Sequence, residues 1–237
     1  VRRGDGKGMR IPKQPAMDSA GRQLVSQAVA AAEAKTSGEI VTILAQQSDE
    51  YRDVALAWSA AVALLALVVL ANFSGFYLAL WGHLTGGWVQ EWHPGEILGM
   101  AAVVAGLKFL GMWLILLWRR LRLFLVPVWV KQHRVRTHAV SLFKVGAERR
   151  TAGRTGILIY LSLAERRAEI VADTAIAAKV APEVWGAALA ALLSGIKAGQ
   201  MAEGLAAAVA QVGLVLAEHF PRDRDDKNEI PDGLIEL

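Results

Sequence analysis

The stretch "RTGILIYLSLAERRAEIVAD", residues 154–173, decides how the chain is read. Residues 156–163 form an apolar run with β-branched members. Residues 164–167 make a charged turn, and 168–173 a second short apolar run. That pattern predicts two antiparallel strands of a soluble-looking sheet joined by a tight connection. Upstream, however, residues 112–126 read "MWLILLWRRLRLFLV", which is membrane-like. One small chain thus carries two kinds of segment, and the fold follows from how they are joined.

Composition points the same way. The 237 residues are 54% hydrophobic yet 20% charged, and mean hydropathy is +0.34. Such a balance implies segregation into very apolar and very charged segments. The net charge of +4 is modest and the basic residues gather in one place, so nucleic acid is not an expected partner. The absence of cysteine excludes disulfides, thiolate zinc sites and cysteine nucleophiles. The opening "VRRGDGKGMRIPKQP" is polar with no apolar core, so it is not expected to be a signal peptide, and Met9 is an alternative start.

Two runs have the length of membrane-spanning helices. Residues 54–71 hold no charge, and after Asp53 the next acidic or basic residue is Glu91, with only His83 between. The second run, 97–118, carries one charge, Lys108. A central lysine costs roughly 2.5–3.5 kcal/mol, and Leu, Ile, Val and Phe return roughly 0.3–0.6 kcal/mol each. Eleven such residues in the run outweigh the lysine. Seven of the eight tryptophans (58, 81, 88, 92, 113, 118 and 129) lie in this region, as an interfacial aromatic belt would require. The connection 72–96 has no Lys or Arg, whereas Arg119, Arg120, Arg122, Lys131, Arg134 and Arg136 follow the second run. The positive-inside rule then places both termini in the cytoplasm, in a multi-pass protein of the inner (cytoplasmic) membrane. "LFLVPVWV", 123–130, is too short to span and is expected in the interface, its arginines toward lipid phosphates.

On either side the pattern is that of a soluble domain. Residues 18–35 predict a helix capped by Asp18 or Ser19 and stopped by "TSG", with Gly38 suited to a left-handed C′ position. "EIVTILA", 39–45, predicts a strand. After the hairpin come a helix at 137–150, the two strands of the opening stretch, a helix from Pro182 to Ala198 and a last helix from Met201 to His219. Neither flank is large enough to fold alone. The expected fold is α/β: a small mixed β-sheet flanked by helices and interrupted by a two-helix transmembrane hairpin. Strand 39–45 pairs parallel to 156–163, with 137–150 as a right-handed crossover. The expected divisions are a tail at 1–16, the first part of the domain at 17–53 and the hairpin at 54–118. A basic interfacial segment at 119–136, the second part of the domain at 137–221 and a charged tail at 222–237 complete the chain.

"SGEIVTIL" after an amphipathic helix, then "TGILIYLSLAERRAEIVAD", then "IAAKVAPEVW" and a helical pair closing in "EHFP" together resemble the TPM domain. That domain occurs in thylakoid-lumen proteins linked to photosystem II repair and in many bacterial membrane proteins. The resemblance covers residues 17–52 and 134–221. It implies a phosphatase-like domain associated with Ca²⁺ or other divalent ions and, in bacteria, with LemA-type membrane proteins. The chain departs from the family where the turn has Ala164 and Glu165 instead of two aspartates, and where "ADTAI" lacks glycine.

No G-x-S-x-G, HExxH or Walker A motif is present, and no catalytic residue stands out. "GDGKG", 4–8, follows no strand. "DRDDKNE", 223–229, lacks the central glycine of a calcium loop. His133 and His138 sit among arginines, and His219 suits a helix C-terminus. Parallel strands place sites beyond their carboxyl ends. The first strand leads into "SDEYRD" and the second into Glu165 and Arg166, so Asp49, Asp53 and Glu165 form a candidate Ca²⁺ or Mg²⁺ set. Asp173 belongs to the opposite edge. The alternative is a solvated rim with ion pairs such as Arg52 with Glu165. The expected function is a binding or scaffold module at the cytoplasmic membrane, in envelope-protein assembly or quality control. Its partners are membrane lipids and a LemA-type or other membrane protein. The alternative is a divalent-metal-dependent phosphatase.

Overall fold

The computed structural model describes residues 17–85, 93–146, 155–222 and 233–237. The expected tail at 1–16, Trp88, Trp92, the end of the 137–150 helix and the acidic stretch 223–229 lie outside these. The chain divides into two compact units, one of residues 1–48 with 132–237 and one of 49–131.

The first unit is a mixed α/β layer structure. Helix α1 (Ser19–Glu33) is capped by Asp18, whose side chain accepts from the Gly21 amide at 2.8 Å. Strand β1 (Glu39–Ala45) is parallel to β2 (Gly156–Ser162), in the register Glu39 with Gly156 through Ala45 with Ser162. Strand β3 (Arg167–Ala172) runs antiparallel to β2. The three strands fall where the sequence predicts them. A fourth was not foreseen: β4 (Ile235–Glu236) pairs parallel with β1 and gives the order β3-β2-β1-β4. The expected charged tail therefore ends in the sheet.

Every residue of β1 and β2 is buried, because helices cover both faces. One face presents Ile40, Leu44, Ile157, Ile159 and Leu161 to α1, α8 (Gly186–Lys197) and α9 (Met201–His219). The other presents Val41, Ile43, Ala45, Leu158 and Tyr160 to Val135, Ala139 and Phe143 of α6 (Val128–Gly146). Those three helical positions lie four apart, one stripe of an α-helix. Helix α6 starts well inside the segment expected to lie in the interface. After β3 come a short α7 (Thr174–Ala177), whose N-cap is Asp173, and a 3₁₀ turn, Pro182–Trp185, that buries Trp185 in the core. Gly38 differs from expectation. Gly199 is the glycine with positive φ among those described, and a Cβ at Gly38 would approach Leu216 to 3.0 Å. Close packing, not handedness, requires glycine there. The "TSG" segment is held instead by Thr36, whose hydroxyl donates to the Phe220 carbonyl at 2.6 Å and accepts from the Gly38 amide at 3.0 Å.

The second unit is helical. Helix α2 (Arg52–Asn72) is followed, after Phe73, by α3 (Ser74–Thr85), in a connection expected to be a loop. Helix α4 (Pro94–Ile115) packs on α2. It begins before the apolar run, because Pro94 occupies the first turn and His93 and Glu96 form a reciprocal cap. Then come α5 (Arg119–Leu125) and the first residues of α6. Among the described residues, α2, α4 and α9 are long and apolar enough to cross a membrane by length and composition. Helix α9 differs from the other two by burying a stripe, Leu205, Ala208, Val209, Val212 and Leu216, in the first unit's core. In α2 and α4 the described buried positions are only Ala55, Ser59, Leu70 and Met100.

Candidate functional site

The carboxyl ends of β1 and β2 carry a joined set of polar side chains within the first unit. Tyr160 and Ser162 alternate with Leu161 along β2 and so share one sheet face. Tyr160 is fully buried, and its hydroxyl lies 2.9 Å from Ser48 Oγ and 2.9 Å from His138 Nδ1. Ser48 ends the segment leaving β1, and His138 comes from α6, where its ring meets that of Tyr160 edge to face.

Glu165 anchors the other half of the cluster. It lies in the turn between β2 and β3, is 7% exposed, and accepts from the Ser48 amide at 3.1 Å (Oε1) and 3.3 Å (Oε2). Ser162 Oγ also donates to Oε2. The turn closes with Arg166 at φ 51°, a left-handed conformation unusual for a residue with a side chain. The loop beyond β1 is thus gripped from β2 and its turn. Ladder bonds extend the grip, from Leu163 N to the Ala45 carbonyl and from Ala164 N to the Gln46 carbonyl.

The chemistry of this array is constrained by its protons. Burial pushes the Tyr160 hydroxyl above its ordinary pKa of 10.0, the Ser48 hydrogen bond opposes that, and the Glu165 charge adds to it. Tyr160 therefore stays protonated and has one proton to give. If it donates to Ser48, His138 Nδ1 must be the protonated nitrogen; if it donates to His138, Ser48 must donate to it. Glu169 stands opposite Tyr160 across the β2–β3 pair. Burial raises its pKa above 4.5, partly offset by the charges of Arg136 and then Arg167.

The sequence-predicted residues are distributed as follows. Glu165 belongs to the first unit and is central to the cluster. Asp49 and Asp53 belong to the second. Asp49 accepts from the Tyr51 amide at 3.0 Å, a local turn bond, and Asp53 lies in the first turn of α2. Arg52 pairs with Glu50 rather than with Glu165. Among the described residues, no three His, Asp or Glu side chains gather within reach of one metal ion. Both Glu165 oxygens accept from protein donors, the Ser48 amide and the Ser162 hydroxyl. Asp173 lies at the opposite edge, where its amide donates to the Gly156 carbonyl at 2.9 Å and its carboxylate accepts from the Thr174 amide. Ser48, Tyr160, Ser162 and His138 were not foreseen as site residues.

No family model matches the chain, and no curated protein matches it. Among solved structures it is similar to the NMR structure of the BA42 protein from the psychrophilic bacterium Bizionia argentinensis sp. nov.. The identity is 17% and the TM-score 0.54, over 96% of this chain and 99% of that one. At such identity the likeness concerns the fold alone.

Proposed function

We propose that the chain is a membrane-anchored domain of the TPM type, a binding or scaffold module at the cytoplasmic membrane in envelope-protein assembly or quality control. The observation that carries the membrane part is the apolar surface left open by α2 and α4. Leu64, Leu65 and Val68 on α2, and Leu98, Leu107 and Ile115 on α4, are all at least half exposed. Leaving such a side chain in water instead of burying it forfeits about 1.5–3 kcal/mol. A bilayer removes that penalty. At 1.5 Å per residue, the 21 residues of α2 reach about 31 Å, against a hydrocarbon core of about 30 Å. The distribution of Lys and Arg supports cytoplasmic termini.

A binding or scaffold role is supported by the cluster, in which Glu165 and Tyr160 tie Ser48, at the exit of β1, to β2, and His138 ties α6 to the same tyrosine. A LemA-type membrane protein is the partner class that the resemblance suggests. Reporter fusions at residues 85 and 237 test the topology. They are expected to report opposite compartments, with residue 237 cytoplasmic. An external signal at residue 237 would overturn the orientation.

A further inference from the structure

We infer that the outer edge of β3 is a pairing surface for a second copy of this chain, joined antiparallel about Ala168 so that Arg167 of each copy faces Glu169 of the other. The inference stands on the first unit alone and does not depend on the membrane reading. The backbone is its first support. Strand β3 ends the order β3-β2-β1-β4. The Asp173 amide bonds to the Gly156 carbonyl. Alternation along the antiparallel pair then directs the backbone groups of Arg167, Glu169 and Val171 toward β2, and turns the N–H and C=O of Ala168, Ile170 and Ala172 outward. Among the described residues no hydrogen bond reaches those outward groups. Sheet edges are commonly closed by a proline, a bulge or a covering segment. Strand β3 has an unbroken run of pairs with β2 and no proline, whereas the opposite edge receives β4 at Ile43 and Leu44.

Charge selects the occupant and the register. Arg167 and Glu169 share one face of β3, with Ala168 between them. A two-fold axis at Ala168 sets Arg167 opposite the second copy's Glu169, and Glu169 opposite the second copy's Arg167. Opposite charges directly across a strand pair attract, and like charges repel. The sequence Arg-Ala-Glu is thus its own complement. Within one copy Arg136 and Arg167 act on Glu169, yet burial still raises its pKa. A further guanidinium across the new pair offsets that burial. An axis at Glu169 would oppose two carboxylates. An axis at Ile170 would set Glu169 against Val171, and Arg167 against Asp173, which is 3% exposed and caps α7. The charges therefore favour Ala168. The pairing ends where Ile170 meets Arg166, whose φ of 51° takes the chain out of the strand.

The helix beside the edge supplies apolar surface. Helix α8 lies on β3, and α9 lies on its inner side, toward α1 and β1. Gly195 of α8 packs against Gly204 of α9. Leu193, two residues earlier, stands about 160° round the helix from Gly195, on the flank away from α9. That flank overhangs the open edge, and Leu193 is 37% exposed. Pairing two such edges continues the sheet across the axis, with one α8 from each copy on the same face, an isologous contact.

The chain has no cysteine, so single introduced cysteines report the pairing without interference. Ala168→Cys and Ile170→Cys are each made in the full chain and oxidised in detergent micelles, and dimers are measured on non-reducing gels. Residues that exchange both backbone bonds across an antiparallel pair stand about 5.5 Å apart at Cα, within disulfide range. Ala168→Cys is therefore expected to form dimers. Ile170→Cys, displaced from its counterpart by four residues or about 13 Å, is expected to form none above background. Adding Arg167→Glu to Ala168→Cys should lower the dimer yield roughly tenfold, and adding Glu169→Arg as well should restore it, since the swapped pair is again its own complement. Circular dichroism checks that each variant is folded; should a charge variant not fold, the two single cysteines still decide. Equal yields from the two cysteines, dimers from Ile170→Cys alone, or dimers from neither would overturn the pairing. A yield from Ala168→Cys that charge reversal leaves unmoved would overturn the match of Arg167 with Glu169.

Discussion

Replacing Glu165 by Ala tests whether the cluster at the sheet edge serves as a clamp. The carboxylate accepts one bifurcated bond from the Ser48 amide and one bond from Ser162 Oγ. Hydrogen bonds to a charged group contribute about 1.5–3 kcal/mol each. Removing the carboxylate also relieves the desolvation of a group only 7% exposed, and it leaves the fully buried Ser162 hydroxyl without its acceptor. These opposing effects leave a net loss of about 2–3 kcal/mol. For a chain of this size each kcal/mol lowers the melting temperature by about 2–4 °C, so a fall of about 4–12 °C is expected. Circular dichroism in detergent micelles, with the far-UV helical signal as readout, measures it. Glu165→Gln keeps one acceptor and should fall by less. The same melts with millimolar Ca²⁺ or Mg²⁺ separate the clamp from a cation set. The clamp predicts no cation effect on wild type. A site made of Asp49, Asp53 and Glu165 predicts a rise that Asp53→Asn abolishes. If Glu165→Ala melts with wild type, the clamp is refuted.

Two other perturbations probe the first unit. Burial raises the folded-state pKa of Glu169, with Arg136 and Arg167 opposing. Its contribution to stability is then complete below the ordinary value of 4.5 and is lost as pH rises through the folded-state value. Glu169→Gln should consequently melt higher than wild type at neutral pH, with the difference vanishing in acid; a constant difference across pH would refute the assignment. At Gly195, a Cβ would stand 2.4 Å from Gly204 Cα and 2.8 Å from the Gln200 carbonyl oxygen. Both are backbone and cannot move aside. Overpacking costs about 1–3 kcal/mol and exceeds the gain of about 1 kcal/mol from alanine in a helix. Gly195→Ala should thus lower the melting temperature, whereas Gly186→Ala, with nothing within 4 Å of its Cβ, should not; equal melts for the two would count against the packing account.

Strands β1 and β2 were legible because a sheet covered on both faces demands continuous apolar runs, and "EIVTILA" and "GILIYLS" have little else to be; β3, half-buried at the edge, was legible from the charged turn that precedes it. Strand β4 was not. It is two residues long and is recorded only in backbone bonds, from Leu237 N to the Leu44 carbonyl and from Gln46 N to the Leu237 carbonyl. Side-chain pattern carries no trace of such a contact. The start of α6 was hidden for another reason: Arg134 and Arg136 made the segment look like a lipid-facing surface, yet Val135 between them opens the buried stripe. Glu165 could be singled out because it is a charge at a strand end. Its partners could not, since Ser48, His138 and Tyr160 come from segments far apart in the chain and are ordinary residues where they stand. The spacing of Tyr160 and Ser162 by two, toward the carboxyl end of a strand, was the one local signal available.

The place of the helical insertion follows from the geometry of a parallel pair. Strands β1 and β2 run the same way, so their connection must return along the whole sheet, and no tight turn can make it. Here α6 alone performs that return, laying Val135, Ala139 and Phe143 on the sheet. Residues 49–131 are therefore additional to a crossover that would be complete without them. Lengthening a connection that is already long adds little closure entropy, about 0.6 kcal/mol for each doubling. An insertion between β2 and β3 would instead open a four-residue turn and separate Glu165 from Ser162, its donor three residues earlier. The grip of Glu165 and Tyr160 on Ser48 falls at the last residue before the inserted unit. It fixes the exit of β1 where a chain leading into 83 further residues would otherwise peel the strand from its carboxyl end. The polar cluster and the long insertion are then two parts of one solution, and loss of the first should be felt as fraying of β1.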